Sequence, residues 1–372
     1  MKLKIKKNLL MEALNDVSKA LSSKNIIPIL SGIKFDLFKD RLVLTASDND
    51  ITIQTVVESK DDLEIIDTGS IVIKGKYILD IIRKLDAEFI HLEIVDDYKV
   101  LIYAENSEFN LNGIDSKEYP NVDLNLTDNG LTLPVSEFKN IINQTNYASS
   151  LDEARLVLTG VNMSIEKDIL ECSATDSYRL ALKKVKLNNA YDNEVNIIIP
   201  SRNLSELAKI LPDDSDELLT IHIFSNKVIF VFDHIIFQTR LINGTYPNTK
   251  NLIPVDSLFE LRLNKREFYN MVDRASILNN DRDNNVITLE INNGLLKITS
   301  MSLEIGKVEE KLAVNCDDKI RISFSSRYMM DALKTISTEE FVITFVGEVK
   351  PILLKEADNY SMIALILPIR TY

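Results

Sequence analysis

Near the middle of the chain, residues 174–183 have the sequence ATDSYRLALK. An aspartate after a short apolar run favours an Asx-type bend, so a bend is predicted at Asp176, with a β-strand after it. Because successive side chains of a strand point to opposite faces, Tyr178, Leu180 and Leu182 are predicted to share one face.

Related segments recur at regular distances along the chain. Residues 46–48 (ASD) lie 128 positions before residues 174–176, and residues 299–301 (TSM) lie 125 positions after them. Each third also has two runs with apolar residues at i, i+3, i+4 and i+7, which is typical of amphipathic helices. The apolar positions of the first helices are Leu10, Ala13, Leu14 and Val17, then Phe138, Ile141, Ile142 and Thr145, then Phe268, Met271, Val272 and Ala275. Those of the second helices are Ile78, Ile81, Ile82 and Leu85, then Leu204, Leu207, Ala208 and Leu211, then Met329, Ala332, Leu333 and Ile336.

Self-similarity at a fixed spacing is typical of tandem domains. Strand-like segments separate the helices, so each repeat is predicted to be an α+β domain with helices packed on a sheet. Pro120 and Pro247, each within a Tyr-Pro-Asn sequence, mark the linkers. The predicted domains are residues 1–129, 130–254 and 255–372.

The composition is that of a globular protein with several domains. The 372 residues are 45% hydrophobic and 27% charged. No apolar run approaches the roughly 20 residues that span a bilayer, and residues 1–7 lack the apolar core of a signal peptide, so they are predicted to form a first strand. Cys172 and Cys316 have no metal-type spacing, which favours reduced thiols and a cytoplasmic protein.

The distribution of charge is more informative than its sum. A net charge of −13 argues against binding of nucleic acid by bulk electrostatics. The six predicted helix windows together carry +4, however, which leaves −17 on the rest of the chain. Lys76, Arg202 and Arg327 stand near the start of the second helix in each repeat, where a cation opposes the helix dipole, so their recurrence favours a function.

The sequence gives little support for a catalytic site. His91, His222 and His234 have no metal-ligand spacing, and neither a glycine-rich phosphate loop nor a Ser-His-Asp arrangement can be identified. Asp48 and Asp50 could form a carboxylate pair for metal-assisted hydrolysis. The corresponding position of the third repeat is Met301, which favours a role in a turn.

Four segments carry a resemblance to a known family when they are taken in order: residues 27–30 (IPIL), 174–182, 246–248 (YPN) and 367–370 (LPIR). Over its whole length the chain resembles the bacterial DNA polymerase III β subunit, the sliding clamps. The resemblance implies three tandem domains of the DNA-clamp fold and two chains that close head to tail into a ring of six domains. It implies a non-catalytic processivity factor without cofactor or metal, which encircles duplex DNA without sequence preference and tethers the polymerase.

The resemblance also implies three sets of site residues. The clamp loader, the polymerase III α subunit, other polymerases and repair proteins would insert short linear motifs into an apolar cleft between the second and third domains, where Arg179 and Arg370 could fix backbone or carboxylate groups. The cleft residues would be Leu158, Thr175, Ser177, Tyr178, Arg179, Leu180, Pro247, Leu252, Ser325, Tyr328, Val349, Leu365, Ile366, Leu367, Pro368, Ile369 and Arg370. The DNA contacts would be Lys24, Arg155 and Arg202, with Lys76 and Arg83 as weaker candidates. The dimer contacts would be Phe109 and Leu111 of one chain against Ile277 and Leu278 of the other.

The chain departs from the family pattern at Ser177-Tyr178, at Asn251, at Asp283 and in the two residues after Arg370. These departures bear on the peptide preference of the cleft. Two other functions are open at this point. One is a three-repeat peptide-binding scaffold that does not encircle DNA, and the other is a metal-dependent hydrolase that uses Asp48 and Asp50.

Overall fold

The computed structural model describes residues 1–22, 27–60, 62–188, 191, 194–213, 215, 217–278, 285–302 and 304–370. The chain forms two compact units. The first consists of Met1–Phe138 with Ser205–Leu241, and the second of Lys139–Leu204 with Ile242–Tyr372. Each of the four β-sheets lies within one unit.

The α-helices of the described residues coincide with the six predicted from apolar spacing. They are α1 Lys7–Ser18, α2 Gly75–Lys84, α3 Val135–Thr145, α4 Ser201–Ala208, α5 Lys265–Ser276 and α6 Ser326–Thr335. Helices α1 and α5 bury all four of their predicted apolar residues. Leu85, Leu211 and Ile336 are buried as well, although each lies beyond the end of its helix.

The strands of the described residues account for most of the remaining chain. They are β1 Lys2–Lys6, β2 Gly32–Leu37, β3 Arg41–Ser47, β4 Ile51–Glu58, β5 Leu63–Asp67, β6 Gly69–Lys74, β7 Phe89–Val95, β8 Lys99–Ala104, β9 Ser107–Asn112, β10 Leu131–Pro134, β11 Gly160–Glu166, β12 Ile169–Thr175, β13 Arg179–Lys186, β14 Val195–Pro200, β15 Leu218–Ile223, β16 Lys227–Phe232, β17 Ile235–Arg240, β18 Phe259–Asn264, β19 Val286–Asn292, β20 Leu295–Ser302, β21 Gly306–Ala313, β22 Ile320–Ser325, β23 Glu340–Phe345, β24 Ile352–Glu356 and β25 Met362–Ile366. All strand pairs are antiparallel, and β1 confirms the first strand predicted at the N-terminus.

Each unit contains one eight-stranded sheet and one smaller sheet. The first unit has the strand orders β10-β15-β16-β17-β4-β3-β2-β6 and β5-β1-β7-β8-β9. The second has β14-β11-β12-β13-β25-β24-β23-β18 and β21-β20-β19-β22. Helices pack on these sheets: α1 lies on β3 and β4, and α5 and α6 pack against each other beside β20, β22 and β25. Apolar side chains of helices and strands form the core of each repeat, as expected for an α+β fold.

The repeat predicted from the sequence is visible in the hydrogen-bond register. In the second unit the backbone N–H of Leu367 donates to the carbonyl of Tyr178, at 2.9 Å. In the first unit Arg240 donates in the same way to Asp50, at 3.0 Å. These positions differ by 127 and 128, so β4 and β17 correspond to β13 and β25. Positions in the two units can therefore be compared one by one.

Strand β13 differs in one respect from the prediction for residues 174–183, because it begins at Arg179. Leu180 and Leu182 are buried, and so are Ala181 and Lys183 on the other face. Strand β13 is central in its sheet, so both of its faces are covered, and the Lys183 ammonium group donates to Ser361 Oγ at 2.9 Å. Tyr178 lies in the bend before β13 rather than on the strand.

Among the described residues, no helix is long and apolar enough to cross a membrane, and no group of three or more His, Cys, Asp or Glu side chains could hold a metal ion. Asp48 Oδ1 accepts hydrogen bonds from the backbone N–H groups of Asp50 (3.1 Å) and Ile51 (2.8 Å), which supports its role in a turn. His91 stacks on Tyr103, with ring centroids 4.6 Å apart, as a structural side chain does.

Candidate functional site

The bend predicted at Asp176 is present and is held by side-chain hydrogen bonds. Asp176 Oδ1 accepts from the backbone N–H groups of Tyr178 (2.9 Å) and Arg179 (3.0 Å). Thr175 Oγ1 accepts from the N–H of Ser177 (3.1 Å) and donates to the carbonyl of Arg179 (2.6 Å). Ser177 has a φ of +80°, a backbone conformation that residues other than glycine rarely adopt. The bend is thus well restrained, and it leaves the Tyr178 side chain 59% exposed.

Arg179 braces this bend against helix α6. Its Nε donates to Asp176 Oδ2 at 3.0 Å, and its Nη1 donates to Asp331 Oδ2 at 2.8 Å. Its guanidinium carbon lies 4.5 Å from the ring centroid of Tyr328 and 5.5 Å from that of Tyr147, within the range of cation–π interactions. The side chain is only 10% exposed. Its ion pairs are therefore internal, and the interpretation that Arg179 fixes a ligand carboxylate is not supported.

The floor beside the bend is aliphatic. Leu180 lies opposite Leu365 across the β13–β25 pair, and Leu353 lies opposite Leu365 on the next strand. These three leucines are buried and form one cluster, against which Ile253 and Ile363 pack. The cluster provides an apolar base with no polar side chain of its own.

Exposed apolar side chains lie outside the strands, in segments next in sequence to those that form this base. Leu252 is 50% exposed, Val349 63% and Leu367 37%. Exposed apolar groups cost solvation free energy, and in soluble proteins a concentration of them marks an interaction surface. The predicted cleft residues thus combine a buried aliphatic floor with exposed apolar groups.

Two further segments are attached to the bend. The Tyr246 hydroxyl accepts a hydrogen bond from the backbone N–H of Thr175 at 3.0 Å, which places Pro247 beside the bend. Leu158 packs against Tyr246 in a small apolar cluster. Burial raises the pKa of Tyr246 above its usual range, so its hydroxyl stays neutral.

The C-terminal segment completes the site. Ile366 is the last residue of β25, and Pro368 and Ile369 follow, with the Ile369 N–H donating to the carbonyl of Ser323 at 2.7 Å. Ser325 caps helix α6, and Arg370 is exposed. Asn251 lies in the short turn at 250–252, whereas Asp283 and the two residues after Arg370 lie outside the described residues.

Comparison with known proteins gives the same family along the whole chain. Models of the DNA polymerase III beta subunit match in order: the N-terminal domain at residues 1–123, the central domain at 132–248 and the C-terminal domain at 250–370. The chain belongs to the DNA polymerase III beta subunit family, the bacterial sliding clamps. It is 43% identical to the beta sliding clamp of Staphylococcus epidermidis and 41% identical to that of Staphylococcus aureus, with 100% of both chains covered in each case.

Solved sliding clamps have the same fold. The Bacillus subtilis clamp is 39% identical with a TM-score of 0.96, and the Streptococcus pneumoniae beta chain is 32% identical with a TM-score of 0.94; each match covers 100% of both chains. As a sliding clamp, the chain is a non-catalytic processivity factor that acts on duplex DNA as a dimer, with the clamp loader and polymerases as partners. The alternative function as a metal-dependent hydrolase is therefore wrong. A three-repeat peptide-binding scaffold that does not encircle DNA is not needed to explain the sequence.

The described candidate DNA contacts of this sliding clamp occur in both compact units. Lys76 and Arg83 are exposed on α2, and Arg202 is exposed on α4. Arg83 lies 3.7 Å from Asp80, whereas the structure gives Lys76 and Arg202 no ion pair with another described residue. Lys24 lies outside the described residues.

Arg155 lies at the bend of the clamp's predicted cleft. Its Nη1 donates to Ser177 Oγ at 2.8 Å, and its Nε lies 3.6 Å from Asp152 Oδ2. The side chain thus contacts a predicted cleft residue, and its assignment to DNA has no support from its contacts. The family resemblance placed it with the DNA-binding residues, and its contact with Ser177 was not visible in the sequence.

The candidate dimer residues of the clamp are apolar and accessible. Phe109 and Leu111 lie on β9, the edge strand of the five-stranded sheet. Ile277 and Leu278 directly follow α5, and Ile277 is 74% exposed. An edge strand offers unpaired backbone groups to another chain.

Several residues of the site were missed from the sequence. Tyr147, Tyr246, Ile253 and Asp331 each contact a predicted cleft residue. Tyr246 could have been found, because Tyr119 precedes Pro120 in the same way in the first repeat. The other three carry no local signal, since chain folding alone brings them to the bend.

Proposed function

We propose that the cleft of this sliding clamp binds short linear motifs of its protein partners through apolar anchors. The observation that carries the proposal is the aliphatic floor of Leu180, Leu353 and Leu365 beside a braced bend with exposed Tyr178. Burial of a Leu or Phe side chain contributes about 1.5–3 kcal/mol, and a rigid site loses little of this to ordering. Micromolar binding corresponds to about −8 kcal/mol, so several such anchors have to outweigh the free-energy cost of association.

A direct binding measurement tests this proposal. A fluorescein-labelled peptide with a Leu and a Phe anchor is titrated with the intact dimer, and the fluorescence anisotropy is recorded. Val349→Asp is expected to weaken binding at least about tenfold, since it places a charge beside an apolar anchor. Val255→Asp is the matched control, because Val255 is 99% exposed and is not a cleft residue. Equal affinities of the two variants, or no binding to the wild type, would refute the proposal.

We propose that the candidate dimer residues form the contact that closes the ring. Phe109 and Leu111 of one chain would pack against Ile277 and Leu278 of a second copy, and two such contacts related by twofold symmetry close a ring. Their support is the exposure of Phe109 and Ile277 on an otherwise acidic, charged chain.

DNA contact is assigned to exposed cations on the helices. Lys76 and Arg202 each stand second in their helix, α2 and α4, and Arg83 lies near the end of α2. A few such cations attract phosphates without binding them tightly, which suits a protein that slides. Lys24 is proposed as a DNA contact on the basis of the family resemblance alone.

Domain limits at 129 and 254 are proposed from the repeat. The family-model ranges, which end at residues 123, 248 and 370, support the order and approximate length of the three domains. Cytoplasmic location is proposed as well, because the polymerase and the chromosome that a clamp serves are there.

A further inference from the structure

The first compact unit contains a cavity at the position that corresponds to the cleft. Its volume is about 310 Å³. Strands β4, β16 and β17 line it together with the segment after Tyr119, and we name it the first-unit pocket. The residues that matter for its chemistry are Leu30, Asn49, Thr52, Lys227, Gln238 and Arg240.

A bend of the same geometry borders both sites. In the first unit Ser47 Oγ donates to the carbonyl of Ile51 at 3.0 Å, as Thr175 Oγ1 does to Arg179. Asn49 has a φ of +83°, close to the +80° of the corresponding residue, Ser177. The two sites are therefore structural repeats of one another, and their side chains can be compared by register.

The floor of the first-unit pocket is polar where that of the cleft is apolar. Thr52 lies opposite Gln238 across the β4–β17 pair, at the positions of Leu180 and Leu365 in the cleft. Arg240 takes the position of Leu367. The same backbone frame thus presents an amide and a guanidinium group in place of two leucines.

Two of these polar groups are not fully paired within the described part of the chain. Gln238 Oε1 is buried and accepts no hydrogen bond from any residue that the structure describes. Arg240 Nη2 donates to Asn49 Oδ1 at 3.3 Å, and no carboxylate of a described residue forms an ion pair with this guanidinium. A buried acceptor without a donor costs free energy, which a ligand N–H would recover.

The other charges of the pocket restrict what that ligand can be. Lys227 Nζ lies 3.1 Å from Asp123 Oδ2, so these two charges largely cancel. One unpaired cation therefore remains, and Asp123 repels a ligand of higher negative charge. A single carboxylate next to an amide N–H fits this arrangement, and Leu30 can contact the adjoining carbon atoms.

We propose that the first-unit pocket binds an extended peptide segment that carries an aspartate or glutamate. The ligand carboxylate pairs with Arg240, and a backbone N–H of the ligand donates to Gln238 Oε1. This site is additional to the apolar cleft, so a partner with both an apolar and an acidic segment would have two points of attachment on one chain.

Methyl-resolved NMR of the intact dimer tests this proposal. The probes are the capped tripeptides acetyl-Ala-Asp-Ala-amide and acetyl-Ala-Asn-Ala-amide, with inorganic phosphate as a third ligand. Methyl groups of Ile27, Leu30 and Val122 report on the pocket, and those of Leu180 and Leu365 report on the cleft. The aspartyl peptide is expected to shift the pocket methyls and to bind about fivefold or more tightly than the asparaginyl peptide, as a charge-assisted contact predicts.

Two variants and a control separate the contributions. Arg240→Gln is expected to abolish the preference for aspartate, and Gln238→Leu is expected to weaken both peptides because it removes the acceptor. Arg41→Gln, at another exposed arginine of the first unit, is expected to have no effect. Equal binding of the two peptides, equal shifts with phosphate, or an unchanged preference in Arg240→Gln would overturn the proposal. The Leu180 and Leu365 methyl groups are recorded in the same spectra, so peptide binding to the cleft is measured separately from peptide binding to the first-unit pocket.

Discussion

Replacement of Arg179 by glutamine measures how far the bend depends on its internal ion pairs. The substitution removes the cation that joins Asp176 to Asp331, whose side chains are only 13% and 26% exposed. Breaking a buried pair costs about 3–5 kcal/mol and an exposed pair about 0–1 kcal/mol. Because Asp176 keeps two backbone N–H donors and Asp331 keeps some water contact, we expect a loss of about 2–3 kcal/mol.

That loss predicts a measurable change in local opening. The backbone amides of Tyr178 and Arg179 donate to Asp176, so their hydrogen exchange reports on the bend. If they exchange through local opening, about 2–3 kcal/mol corresponds to roughly 30- to 150-fold faster exchange. The assay is hydrogen exchange with mass spectrometry on a peptide that covers residues 174–183.

Arg262→Gln is the matched control for this experiment. Arg262 also pairs with two carboxylates, Glu340 at 3.0 Å and Asp358 at 2.9 Å, but its side chain is 48% exposed. Its replacement is expected to change local stability by less than about 1 kcal/mol. If Arg179→Gln leaves exchange at residues 174–183 unchanged, or if both variants lose the same stability, the bracing role of Arg179 is wrong.

Three further results are expected. Burial raises the pKa of Asp16 to about 6, with Glu12 adding to the rise and His234 opposing it. Protonation of Asp16 therefore stabilises the fold below the ordinary aspartate pKa, and this contribution is lost as the pH rises through about 6, so Asp16→Asn should gain unfolding free energy relative to wild type between pH 5 and 7.5. Burial raises the pKa of the Cys172 thiol to about 12, so one equivalent of DTNB should react quickly in the native protein, at Cys316, and a second only after unfolding; two fast equivalents would contradict this. Phe109→Asp should shift the dimer toward monomer in light scattering at micromolar concentration, and an unchanged mass would argue against β9 as an interface.

Much of the fold followed from the apolar periodicity of the sequence. The apolar residues of Leu10–Val17 and Phe268–Ala275 are buried as predicted, because an amphipathic helix removes its apolar face from water by packing that face on the core. Helix ends were less predictable: Leu211 continues the pattern of its helix but lies three residues past the end of α4. An apolar side chain contributes burial whether its backbone is helical or not, so the pattern alone does not show where a helix stops.

The Asx bends were also local enough to predict. An aspartate at the start of a bend can accept hydrogen bonds from the backbone N–H groups two and three residues later, and Asp48 and Asp176 both do this. Family resemblance then indicated which of the repeated bends belongs to an apolar cleft. The buried leucines of the cleft floor support the choice of the bend at Asp176.

The sequence by itself determined the repeats, because similar segments recur 125 to 128 positions apart. It also determined the helices and the bends, because each depends on neighbours within a few residues. Only the tertiary structure shows the contacts of Arg155 and Arg179. Both are arginines near the same bend, yet one donates to Ser177 at its exposed edge and the other is enclosed by two carboxylates and two tyrosines. The groups that distinguish them come from distant parts of the chain, such as Asp331 on α6. The effect of a charge depends on its burial and on its partners, and both are set by chain packing rather than by the local sequence.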